Sequence, residues 1–200
     1  MIDEVTHEFR EPATRRTRRA TLVGGALAAS AAALGGSALA AGASASQDAR
    51  ILNFALFLEE IEAGFYAAAR DRGKLHGELG EFATIVAGHE RDHVAFLRDA
   101  LGSKARKRPK LGFGNAVTNE KRFVAAAITL EDTIVAAYNG QATNLSPSAL
   151  GAAARIVSVE ARHAAWIRAI AGKLPADKPT DAAASAAEVM ATIKRLGFLR

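Results

Sequence analysis

Glu90-Arg91-Asp92-His93 and Glu160-Ala161-Arg162-His163 repeat one pattern, Glu-x-x-His, with 70 residues between the two glutamates. Leu58-Glu59 with Tyr66, and Leu130-Glu131 with Tyr138, repeat a second, Glu-x6-Tyr, with 72 residues between the glutamates. The chain's two tyrosines both fall in this second pattern. On an α-helix, residues i and i+3 share a face, about 60° apart and about 4.5 Å along the axis. Residues i and i+7 share a face two turns apart. The chain therefore reads as two similar helical hairpins, an internal repeat.

The turns agree with that reading. The midpoint between Glu59 and Glu90 falls in the Gly73–Gly77 break, and that between Glu131 and Glu160 falls in Asn144-Leu145-Ser146-Pro147. In each antiparallel hairpin the two glutamates then sit at one level. Helical periodicity predicts segments from Asp48 to Arg72, from about Glu78 to Leu101, from Thr118 or Asn119 to about Thr143, and from Pro147 to Gly172. Ser146 and Pro147 suit an N-cap and a first helical position. A short amphipathic helix is expected over Asp181 to Leu196. Pro12, Pro109, Pro147, Pro175 and Pro179 all avoid the helix interiors, where each would cost about 3 kcal/mol. Alanine makes up 47 of the 200 residues, a composition that favours helix and disfavours an all-β fold. The expected fold class is all-α: a four-helix bundle over 48–173 with a long crossover between its second and third helices, then a tail over 174–200 carrying the short helix.

A single Glu-x-x-His is most often a surface pair. Here both copies lie in apolar stripes: Val86, Val94 and Leu97 flank Glu90, and Ala153, Ile156, Val157 and Ile167 flank Glu160. An unpaired carboxylate in such a stripe is expensive to bury, and a cation removes that cost. Glu59, Glu90, His93, Glu131, Glu160 and His163 would converge in the bundle core as a di-metal site. The chain has no cysteine, so thiolate zinc, iron–sulfur and thiol chemistry are excluded. Carboxylate and imidazole donors suit iron or manganese. Glu62 shares the face of Glu59 and is a possible additional ligand. The repeat pairs Glu59 with Glu131 but Glu62 with Ile134, which favours Glu59. Glu60 is expected toward solvent, and Asp132 reads as a neighbour of Glu131. His89 lies about 100° around the helix from Glu90 and reads as a flanking residue. Trp166 is expected to pack the bundle or its rim, and Met190 and the final helix to cover one end.

The first forty-odd residues differ in kind. Five arginines lie between Arg10 and Arg19, and Leu22 to Ala41 carries no charge. Ala38-Leu39-Ala40-Ala41 closes it as a small-x-small cleavage pattern, with the cut at Ala40 or Ala41. Thr17-Arg18-Arg19-Ala20-Thr21-Leu22 resembles the twin-arginine export motif, with Thr21 in place of its usual Phe and Val23 in place of its Lys. Segment 1–41 is thus expected to be a cleaved signal read by export machinery, which places the mature protein in the periplasm or outside the cell. The competing expectation is an uncleaved anchor, for which the Gly and Ala content is poor. The net charge of +5 falls only to +4 without residues 1–40, and the basic run Lys104 to Lys110 reads as a solvated connection. That run lacks interleaved aromatics, so nucleic acid is not an expected partner.

The chain resembles ferritin-like domain proteins, the superfamily of ferritins, bacterioferritins and rubrerythrins. In detail it is similar to the exported bacterial branch related to plant desiccation-related proteins. The resemblance is carried by Leu52-Asn53-Phe54-Ala55-Leu56 through Phe65-Tyr66, by Phe113-Gly114-Asn115-Ala116, by Glu131-Asp132 through Ala137-Tyr138-Asn139-Gly140, and by Val159-Glu160-Ala161-Arg162-His163-Ala164-Ala165. It implies that Glu59 and Glu131 are terminal or bridging ligands, that Glu90 and Glu160 bridge two ions, and that His93 and His163 supply nitrogen. Tyr66 and Tyr138 would orient the carboxylates. The expected function is redox chemistry at two iron or manganese ions: Fe(II) oxidation, or peroxide or oxygen handling. The alternative is a non-enzymatic stress or desiccation-related envelope protein with a structural or vestigial metal site. Nothing in the pattern indicates a ferritin-type storage cage.

Overall fold

The computed structural model describes residues 44–200. The expected signal segment 1–41, with Arg18, Arg19 and the cleavage pattern at Ala40 and Ala41, lies outside the described residues. Five α-helices occur among the described residues: α1 (Ala45–Arg72), α2 (Gly77–Leu101), α3 (Glu120–Gln141), α4 (Pro147–Ile170) and α5 (Ala186–Leu196). There is no strand among them; one isolated antiparallel bridge joins Leu111 to Leu199. The fold is all-α, as expected.

Short polar side chains start the helices. Ser44 caps α1 by accepting from the Gln47 amide at 3.2 Å, and Asn119 caps α3 by accepting from the Arg122 amide at 3.0 Å. Ser146 caps α4, with Pro147 in the first turn where its missing N–H costs nothing. Asp48 lies in the first turn of α1, near the helix start as expected, and also makes a tertiary contact. Its carboxylate accepts from the Ser146 amide at 2.9 Å and from the Ser146 hydroxyl at 2.6 Å, tying α1 to the α3–α4 turn. α5 begins at Ala186, later than Asp181, because Ser185 and Glu188 form a reciprocal capping box there.

α1 and α2 form one hairpin and α3 and α4 the other; α1 also packs on α3, and α2 on α4. The crossover from α2 to α3 lies over the outer side of α1. Gly64 faces the side chains of Leu111, Phe113 and Arg108, where a Cβ would come within 3.0 to 3.2 Å of them. Asn53 secures the same strap: its amide donates to the Lys104 carbonyl at 2.9 Å and its carbonyl accepts from the Arg106 amide at 2.9 Å. Every residue from Leu52 to Tyr66 is consequently buried except half-buried Ala63. A helix covered on all sides has no polar stripe to show. This corrects the expectation for Glu60, which is buried and forms an ion pair with Arg98 of α2.

Phe65 anchors one end of the bundle, stacking on Phe123 (ring centroids 5.2 Å apart) and Phe198 (5.4 Å), with Phe113 against its edge (5.7 Å). α5 runs along α3 rather than across an end. The linker before it bonds Ala184 to Ala136, and the segment after it brings Phe198 to Phe113 and Phe65. Met190 is buried on this flank. At Gly140 the linker passes so close that a Cβ would lie 1.9 Å from the Ala184 carbonyl oxygen. No helix among the described residues is long and apolar enough to cross a membrane.

Candidate metal centre

The two hairpins bring Glu59, Glu90, His93, Glu131, Glu160 and His163 to one place in the bundle. Glu59, Glu90, Glu131 and Glu160 are each 0% exposed, a burial that carboxylates rarely tolerate unless paired. His163 is buried as well, and His93 is half-buried at the edge of the group. Helical spacing does the local work: Glu90 and His93, like Glu160 and His163, are neighbours on one face.

The imidazoles face the carboxylates through Nδ1. His93 Nδ1 lies 3.2 Å from Glu59 Oε2, 3.3 Å from Glu90 Oε2 and 2.8 Å from Glu160 Oε1. His163 Nδ1 lies 3.1 Å from Glu90 Oε1, 3.3 Å from Glu160 Oε2 and 3.7 Å from Glu131 Oε2. Glu90 and Glu160 each span the pair, one oxygen toward each imidazole. A ring nitrogen holds one proton at most, so one N–H cannot satisfy three converging carboxylates. Glu90 Oε1, Glu131 Oε2 and Glu160 Oε1 have no hydrogen-bond partner despite this proximity. Orphaned buried oxygens aimed at one another fit a cation. Two donor groups with ligand atoms within 4.8 Å of one another result: Glu59, Glu90, His93 and Glu160, and separately Glu131, Glu160 and His163.

Electrostatics point the same way. Burial, then the charge of Glu160, pushes the Glu59 carboxyl well above the ordinary carboxylate range, and burial and Glu160 do the same to Glu131. Burial opposes the charged form of Glu90 too, but hydrogen bonds from His163 and His93 win and hold it at about 2. Burial disfavours charge on His93 and His163. The carboxylates outweigh it, Glu160 first, and push the two histidines up to about 12 and about 10. Without metal, the centre stores protons in place of cations.

The tyrosines bond across the repeat. The Tyr138 hydroxyl donates to Glu59 Oε1 at 2.6 Å, and the Tyr66 hydroxyl donates to Glu131 Oε1. Glu62 is also 0% exposed, and neither of its oxygens has a partner. Asp132 is paired outward with Arg168. Trp166 sits at the rim, donating to Glu78 at 2.8 Å and meeting the Phe82 ring edge to face at 5.1 Å.

His89 does more than flank Glu90. Its ring stacks on His163 with centroids 5.2 Å apart, and its Nδ1 lies 2.9 Å from His163 Nε2. Burial and the charge of His163 push His89 below its ordinary value. With a proton on Nε2, His163 would donate to His89 and keep its own Nδ1 turned toward the carboxylates. Its 100° offset from Glu90 was readable; that it would meet α4 was not, since the sequence does not say which helix fills that side. His89, Asp92, His93, Arg162, His163 and Trp166 line an open cleft of about 380 Å³ between α2 and α4.

The sequence of residues 47–173 matches the family profile described as a ferritin-like domain. A comparison with curated proteins found no match.

Proposed function

The chain belongs to the ferritin-like domain family, and from that premise we propose that it is an exported protein whose bundle holds two iron or manganese ions for redox chemistry. The observation that carries this reading is the crowding of three carboxylate oxygens around each imidazole Nδ1. Glu59 and His93 would hold one ion and Glu131 and His163 the other, with Glu90 and Glu160 between them. Two adjacent redox-active ions supply a two-electron exchange with dioxygen, peroxide or Fe(II). The protein's residues do the rest. Tyr138 and Tyr66 hold Glu59 and Glu131 in place. Full burial of the four carboxylates keeps bulk water off them, while the cleft over His93 and His163 admits a small reactant. Export rests on the pattern of residues 1–41, whose twin-arginine resemblance fits a protein that leaves the cytoplasm folded with its metal already bound.

Elemental analysis of the purified protein, followed by Fe(II)-oxidation and peroxide turnover, tests the reading. Two ions per chain and turnover that Glu90→Ala and His163→Ala abolish are expected. Less than stoichiometric metal, with stability unchanged on adding it, would refute a metal centre. Bound metal that raises the melting temperature without any turnover would select the non-enzymatic, stress-protective reading.

A further inference from the structure

The two donor groups are unequal. Four residues (Glu59, Glu90, His93 and Glu160) surround one position, and three (Glu131, Glu160 and His163) surround the other. We propose that Glu62 is a further protein ligand on the Glu131 and His163 side, beyond the shared Glu90 and Glu160, so that the two ions are held by different donor sets and bind in separable steps. The inference deepens the metal-centre reading and rests on it.

Two observations favour Glu62. It is 0% exposed, and both its oxygens lack a partner; each of the other glutamates with an orphaned oxygen among the described residues keeps one oxygen bonded. It stands one helical turn before Tyr66 on the same face of α1, and Tyr66 donates to Glu131, a member of the three-residue group. A buried, unpartnered carboxylate destabilises the fold if nothing uses it.

The repeat shows that the position does not need an acid to fold. Glu62 corresponds to Ile134, which is 0% exposed in the other hairpin. An isoleucine-sized apolar group is what the helix packing alone asks for. Glu62 therefore departs from the repeat at a point where departure lowers metal-free stability, and a ligand role explains why it is there.

The test is a competitive Co(II) titration of the full chain, comparing wild type, Glu62→Gln and Glu62→Ile, with metal-free melting temperatures recorded for each. Wild type is expected to bind two equivalents. Both variants should keep one binding step within about twofold and weaken the other by about tenfold or more. The Co(II) d–d absorption of the weakened step should grow in intensity, as lower coordination number requires. Glu62→Ile should melt higher than wild type without metal, because the orphaned acid is gone. Two unchanged steps in both variants would overturn the ligand role. So would an equal loss of both steps with a lower metal-free melting temperature, which marks a purely structural residue. Wild type binding fewer than two equivalents would instead count against the metal-centre reading itself.

Discussion

Tyr66 of α1 donates its hydroxyl to Glu131 of α3, 65 residues further along the chain. Tyr138 of α3 returns the arrangement, donating to Glu59 of α1 at 2.6 Å. Each hairpin's tyrosine serves the other hairpin's glutamate. Within one helix the two residues of a Glu-x6-Tyr pair stand about 10 Å apart along the axis, too far for a direct bond. The spacing instead sets each tyrosine level with the neighbouring hairpin's carboxylate.

Tyr138→Phe and Tyr66→Phe should each weaken metal binding by about tenfold and cost the metal-free protein about 1 kcal/mol. Double-mutant cycles give the sharper check. Tyr138→Phe should couple to Glu59→Gln by about 1 kcal/mol and to Glu131→Gln by much less. Coupling within the helix, Tyr66 to Glu59, would contradict the cross-hairpin bonds.

The metal-free protein should lose stability as pH rises. Burial and neighbouring acids raise Glu59, Glu62 and Glu131, so above their ordinary value near 4.5 the unfolded chain releases protons that the fold retains. His93 and His163, pushed up to about 12 and about 10, add stability that is complete below 6.5 and is lost as pH climbs through those values. Glu90, held at about 2, acts in the opposite sense, its contribution present above 4.5 and lost only as pH falls through about 2. More protons on the folded state means a falling stability, so melting temperature should decline from about pH 5 to about pH 9. Metal binding must expel these protons. Calorimetry in buffers of different ionisation heat should therefore show net proton release, and affinity should increase with pH.

Two helix-interior glycines should respond with opposite signs. Gly151 of α4 has open space where a Cβ would go, so Gly151→Ala should stabilise by about 0.5–1 kcal/mol through helix propensity and lost unfolded-state freedom. Gly140 of α3 meets the Ala184 carbonyl oxygen at 1.9 Å, so Gly140→Ala should displace the linker and destabilise despite the same propensity gain. Chemical denaturation of the two variants distinguishes these outcomes.

Arg98→Ala should leave Glu60 buried without its partner. Arg98 is itself 39% exposed, which limits the cost to about 1–2 kcal/mol. Adding Glu60→Leu should recover most of the loss, since the site then needs no counter-charge. Denaturation midpoints of the single and double variants read the difference.

Much of this architecture was legible because it is local or periodic. The prolines, the Ser146-Pro147 start and the equal distances of paired glutamates from their turns are arguments within one hairpin. They bring Glu59 to Glu90 and Glu131 to Glu160 from the sequence alone. What escaped depends on segments distant in sequence. Glu60 reads as a surface acid until the crossover is known to lie over α1. Asn53 reads as an ordinary polar residue until Lys104 and Arg106 arrive beside it. The late start of α5 was readable from Ser185 and Glu188, a capping box that the apolar pattern upstream obscured.

The strap over α1 also bears on how far the two hairpins are interchangeable. The six converging side chains obey a two-fold pattern, but the scaffold around them does not. α3 leaves Thr129, Asp132 and Thr133 only half-buried, whereas the central stretch of α1 is enclosed. A chimera built from two copies of the second hairpin would reproduce all six donors. It would lack Asn53 to grip the crossover and Gly64 to let it lie close. Symmetrising this protein would preserve its ligands and unroof its first helix.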